Sequence, residues 1–183
     1  MRKIVASFFI SLDGVVESPD KWHFPYFNDE MGAAIGAQMS ESDALLMGRV
    51  NYQEWAAYWP SKAGEGEPFA DFINGVRKYV VSTTLDSADW NNSTLIPGDS
   101  FVERLTELKR EPGGTIAMSG SPTLVRSLLE HGLLDELNLM VHPIVVGSGQ
   151  RLFDGSGQIP LALTSSTTFT TGVLSLTYST ETK

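Results

Sequence analysis

The chain of 183 residues is 42% hydrophobic and 19% charged, with a formal net charge of −9. That length and apolar content suit a single α/β-sized domain over residues 1–183 with a sizeable core, and the negative charge argues against nucleic acid or an anionic membrane as partner. With no cysteine, disulfide scaffolds, thiolate metal sites and cysteine nucleophiles are excluded, and the cytoplasm is the expected compartment.

Met1-Arg2-Lys3 followed by residues 4–12 imitates the start of a signal peptide. No small-residue cleavage site follows, and so short a run cannot span a bilayer. It reads as a strand buried on both faces of a mostly parallel sheet, with helices on either side. Residues 13–27 (DGVVESPDKWHFPYF) form a long aromatic loop with two prolines, a kind more often functional, as a lid, than a spacer. Asn28 is placed to cap a helix with Asp29 and Glu30 in its first turn and Met31, Ala34, Ile35 and Met39 on one face, ending near Ser40.

Residues 44–47 read as a second buried strand that ends in Gly48-Arg49 ahead of a helix carrying Tyr52, Trp55 and Ala56. After the polar loop 60–67 comes a short helix over 68–74 with Gly75 as its stop. Residues 79–82 form a third strand running into Thr83-Thr84, and residues 94–96 a fourth that breaks at Pro97-Gly98. Ser100 with Glu103 has the spacing of a capping box before Phe101, Val102, Leu105 and Leu108.

Residues 115–132 join a short buried strand, a Ser-Gly-Ser turn and a helix that opens at Pro122, carries Leu124, Val125, Leu128 and Leu129 on one face, and stops at Gly132. Such a junction offers free backbone N–H groups and the positive end of a helix dipole to an anion, with Gly120 allowing close approach. Gly120 and Pro122 serve equally well as plain turn punctuation. A strand over 136–142 and a glycine-rich stretch over 143–149 follow. Residues 161–168 and 173–180 then read as an antiparallel hairpin with one wet face. The order predicts a three-layer α/β domain with an antiparallel edge.

If the strands are parallel, Gly48-Arg49, Ser82-Thr83 and Ser119-Gly120-Ser121 lie along the carboxyl edge, where open α/β sheets bind ligands. Two helix N-termini, an arginine and several hydroxyls suit a dinucleotide with an added ribose phosphate, which Arg49 can hold by a fork of two hydrogen bonds. No Walker A sequence, nucleophile elbow or complete dinucleotide fingerprint is present, Leu152 standing where the third glycine of the last would fall. His23, His131 and His142 are too scattered for a metal site and read as loop aromatic, helix-end charge and strand surface.

Ser11-Leu12-Asp13-Gly14, Leu46-Met47-Gly48-Arg49-Val50-Asn51-Tyr52, Val80-Val81-Ser82-Thr83, Met118-Ser119-Gly120-Ser121-Pro122-Thr123-Leu124, Asp135-Glu136-Leu137 and residues 143–149 with Leu152-Phe153 occur in that order. In this ordered combination the chain resembles the dihydrofolate-reductase-like fold, and more narrowly the C-terminal reductase domain of the bifunctional riboflavin-biosynthesis deaminase-reductase. A zinc deaminase half is excluded by the lack of cysteine.

The resemblance implies NADPH along the sheet edge. Gly48, Arg49, Ser82 and Thr83 would meet its 2′-phosphate end, Gly120, Ser121, Pro122, Thr123 and Leu124 its pyrophosphate, and Phe9, Ile10 and Val16 its nicotinamide. Phe9, Ser11 and Asp13 would face the substrate, although Asp13 can simply cap a turn. The family's acid would be Asp29 or Glu30 on the first helix, although both also suit a helix start as plain dipole charges. Two functions follow: an NADPH-dependent reductase of a small heteroaromatic such as an aminouracil-ribosyl phosphate or a dihydropterin, or a non-catalytic nucleotide-binding homodimer using Trp55 and Trp59.

Overall fold

The computed structural model describes residues 1–66, 68–155 and 157–180; Glu67, the last residue of the polar loop, lies outside them. In chain order the elements are β1 (Ile4–Ser11), α1 (Asp29–Glu41), β2 (Ser42–Gly48), α2 (Arg49–Tyr58), α3 (Pro68–Gly75), β3 (Arg77–Ser82), β4 (Ser93–Pro97), α4 (Phe101–Arg110), β5 (Thr115–Ser119), α5 (Pro122–Glu130), β6 (Glu136–His142), β7 (Ala162–Thr168) and β8 (Leu174–Ser179). They build one eight-stranded sheet in the order β4-β3-β2-β5-β1-β6-β8-β7. The first six positions are parallel, and the last two strands close the sheet antiparallel.

Because side chains alternate across a strand, each central strand feeds two cores. Ala44 and Leu46 join Leu105 and Leu108 of α4 and Leu124 and Leu128 of α5 on one face. Leu45 and Met47 join Tyr52 of α2 and Ile73 of α3 on the other. Helix α1 buries Met31 against Met140, Phe169 and Val173 beside the closing hairpin. Truncating Leu128, which is fully buried, would cost about 2–5 kcal/mol.

Helix α5 follows directly from its residues. Pro122 presets the first turn, Leu124, Val125, Leu128 and Leu129 are all buried, and His131 closes the C-terminus before Gly132 at φ 64°. Asn28 caps α1 by accepting the Met31 amide at 3.0 Å.

Two expectations fail. The Ser100 hydroxyl does not cap α4; it donates back to the Pro97 carbonyl at 3.3 Å, so the capping box is absent. Nor is β1 buried on both faces: Ile4, Ala6, Phe8 and Ile10 are buried, whereas Val5, Ser7 and Phe9 are only half-buried. The half-buried face floors a groove, and an apolar run cannot tell a helix-covered face from a ligand-covered one.

Candidate functional site

The parallel register places the ends of β2, β3 and β5 side by side, with β2 between the other two. The β2–α2 and β5–α5 junctions are tied together there. The Gly48 amide donates to the Ser121 hydroxyl at 2.8 Å, and a Cβ on Gly48 would stand 2.8 Å from that oxygen. Gly120 at φ 102° and Ser121 at φ 60° both occupy the left-handed region, and for a serine that conformation costs about 1–3 kcal/mol. Neither α2 nor α5 has a side-chain cap at its N-terminus. Two helix starts with uncapped first turns, in register at one sheet edge, form a place where anionic charge is stabilised.

Between α1 and the α2–α3 pair, above the half-buried face of β1, β5 and β6, runs a groove of about 2090 Å³ that reaches this edge. Arg49, Gly48, Ser82, Thr83, Gly120, Ser121, Pro122, Thr123 and Leu124 all line it. Arg49 is exposed and bonds Gln53 Oε1 one turn on at 2.9 Å. A cation in the first turn opposes the helix dipole, so its placement is favourable chiefly when an anion is bound. The Ser82 hydroxyl accepts the Thr84 and Leu85 amides at 3.1 and 3.0 Å, which leaves its O–H to donate; Thr83 beside it is exposed. The close neighbour of Gly120 is Asn51, whose amide oxygen would lie 3.1 Å from a Cβ there and whose Nδ2 donates to the Ser119 carbonyl.

At the other end, Phe9 and Val16 line the groove. Ile10 points to the opposite face of β1, into the core, so it cannot share the groove with Phe9. Ser11 and Asp13 are not among the lining residues. The Ser11 hydroxyl donates to Asp13 at 2.6 Å and accepts the Val15 amide, while Asp13 also accepts the Val146 and Gly147 amides at 3.0 and 2.8 Å. The Ser11 hydrogen bond, with these amides, holds the Asp13 pKa down to about 2. This carboxylate is a clamp between two loops. The same clamp pins the loop 13–27, with the Val16 amide donating to the Gln150 carbonyl at 2.9 Å.

Asp29 and Glu30 do not reach the groove either; α1 lines it with Gly32, Ile35, Gly36 and Met39. Glu30 accepts from the Thr170 hydroxyl and amide at 2.6 and 2.7 Å and from Asn28 at 2.7 Å, and these bonds lower its pKa. It staples α1 to the turn between β7 and β8. Trp55 and Trp59 also line the groove, and their rings meet at 6.0 Å.

Sequence reasoning missed two groove residues. His23 is buried, lines the groove and stacks on Phe9 with ring centroids 4.5 Å apart; burial lowers its pKa. Its Nδ1 and Asn138 Oδ1, on β6 directly beside Ser7 of β1, are buried without hydrogen-bond partners. Each such atom costs about 1–3 kcal/mol unless a ligand satisfies it. The only sequence signal was the aromatic density of residues 22–27, which gave no hint that the loop folds its histidine onto β1. His142, expected on a strand surface, is fully buried. Among the described residues no cluster of His, Asp or Glu could hold a metal ion.

The profile of the RibD C-terminal domain family matches residues 2–175. The uncharacterized protein YyaP of Bacillus subtilis (strain 168) is 28% identical over 181 residues, covering 97% of this chain and 94% of YyaP. A solved structure of a putative riboflavin biosynthesis protein from Shewanella sp. PV-4 superposes with a TM-score of 0.77 at 19% identity, covering 97% of this chain and 98% of that one. Dihydrofolate reductase from Enterococcus faecalis, solved with NADP(H), gives a TM-score of 0.62 at 13% identity, covering 96% and 93%. At these identities the two structures speak for the fold.

Proposed function

The chain belongs to the RibD C-terminal domain family, a family of riboflavin-pathway-like reductases, and from that membership and the groove we propose that it is an NADPH-dependent reductase of a small heteroaromatic substrate. We read all 183 residues as one domain, acting in the cytoplasm as a homodimer; no described helix is long and apolar enough to cross a membrane. The observation that carries the reading is the 2.8 Å bond from Gly48 to Ser121, which locks two uncapped helix starts together beside Arg49.

In this reading the amides of Thr123 and Leu124 and the turn at Gly120-Ser121 hold the pyrophosphate. Arg49 and the hydroxyls of Ser82 and Thr83 take the 2′-phosphate. NADPH, when bound, supplies the hydride. Phe9 and Val16 form the apolar wall for the ring and exclude water from it. A ring reduction also needs a proton, and neither Asp29 nor Glu30 lines the groove to give it.

Proteins of this family that reduce 5-amino-6-(5-phosphoribosylamino)uracil set one substrate expectation, and dihydrofolate reduction sets another. A non-catalytic nucleotide-binding dimer is the alternative, favoured by the absence of Asp29 and Glu30, the first-turn carboxylates of α1, from the groove lining. The test is oxidation of NADPH followed at 340 nm with a panel of pyrimidines and dihydropterins. Turnover supports the enzyme, and NADPH binding without turnover on any of them supports the alternative.

A further inference from the structure

The groove is poor in cations. Only two Lys or Arg side chains line it among the described residues, Lys3 and Arg49. Lys3 is already paired with Glu136 at 2.7 Å. Arg49 begins α2 at the end of β2, whereas Asn138 stands on β6 with β5 and β1 between them, three strand spacings or about 14 Å away. Carboxylates also line the groove, at Glu17, Asp20, Glu41, Glu54 and Glu136. Over the groove as a whole the lining carboxylates outnumber the two cations, one of them already paired, so an added phosphate meets net negative charge. Burial lowers the His23 pKa, which works against a positive charge on that ring.

What this end does offer is flat apolar surface with two unmet polar atoms. Phe9 and Met140 sit side by side in register on β1 and β6. Asn138 Oδ1 is an acceptor without a donor, and His23 Nδ1, stacked over Phe9, is likewise unmatched. Together they ask for a planar ring with an N–H or O–H edge.

We infer that the substrate is an uncharged, unphosphorylated planar ring compound whose N–H or O–H edge is read by Asn138 and His23, and not a ribosyl phosphate. This rests on reading the groove as the reductase site.

The test is calorimetric titration, with and without NADPH, using matched pairs: uridine and its 5′-monophosphate, and 6-hydroxymethylpterin and its phosphate ester. In at least one pair the neutral compound binds, and binds at least tenfold more tightly than its phosphate at low salt; the gap narrows as salt screens the carboxylates. Asn138→Ala lowers the neutral ring's affinity about tenfold and leaves NADPH affinity unchanged. Equal or tighter binding of the phosphates overturns the inference, as does failure of every neutral ring to bind while NADPH binds normally. If the ring preference holds but NADPH does not bind, the substrate inference stands and the cofactor reading falls.

Discussion

The Gly48 amide and the Ser121 hydroxyl are 2.8 Å apart although 73 residues separate them in the chain, and through that one bond two strand-to-helix junctions become a single edge. A side chain at 48 cannot coexist with it, since a Cβ would lie 2.8 Å from the hydroxyl oxygen and 3.2 Å from the Ser121 Cβ. Gly48→Ala therefore pushes the α5 junction away. We expect NADPH affinity to fall at least tenfold, about 1.4 kcal/mol, with stability lower by about 1–3 kcal/mol, measured by nucleotide titration and chemical denaturation.

At Gly120 backbone conformation and packing act together. Its φ of 102° strains any side chain, and Asn51 stands against the position. Gly120→Val is expected to lower affinity for NADPH and NADH alike at least tenfold, about 1.4 kcal/mol, and to lower the melting temperature as well. Asn51→Ala relieves the contact but not the φ, so the double variant should recover only part of the stability. Full recovery would show that Asn51, and not the backbone, demands glycine.

Asp13 gives a pH signature. Its pKa is held at about 2, against 3.8 for the free group, so the folded state favours the carboxylate. The stabilisation is complete above the unfolded value and is lost as pH falls through the folded one. Asp13→Asn should therefore melt below wild type at pH 7 and pH 5, with the difference shrinking between pH 3.8 and pH 2. A constant difference down to pH 2 would mean that the clamp does not depend on charge.

The two buried histidines act in a higher window. Burial lowers the pKa of His23 and of His142, so the unfolded chain takes up protons first as pH drops below the ordinary value of 6.5. Stability should fall from there downward and be flat above it. His142→Phe removes part of that slope in thermal melts between pH 7 and pH 5; an unchanged slope would assign it elsewhere.

The succession of strands and helices along the chain was legible because each element rests on local chemistry. Pro122 opens a helix whatever lies nearby, Asn28 caps one, and a glycine between strand and helix marks a junction. The far end of the groove was not legible. Asp29 and Glu30 stand at the expected helix start, but the helix turns Ile35 and Met39 to the groove and spends Glu30 on Thr170, a contact 140 residues away in the chain. His23 depends on a loop crossing back over β1, and Asn138 on the pairing of β6 with β1. Neither leaves a trace in spacing or periodicity, because both are set by tertiary contacts.

The central claim, that the joined helix starts and Arg49 hold a 2′-phosphorylated dinucleotide, is tested most directly by fluorescence titration of the wild-type protein with NADPH and NADH, repeated on Arg49→Ala. NADPH should bind at least tenfold more tightly. Arg49→Ala should weaken NADPH by about 1.5–3 kcal/mol, as for loss of a charged hydrogen bond, and leave NADH almost unchanged. Equal affinities in the wild type, or equal losses for both nucleotides in the variant, would contradict the account.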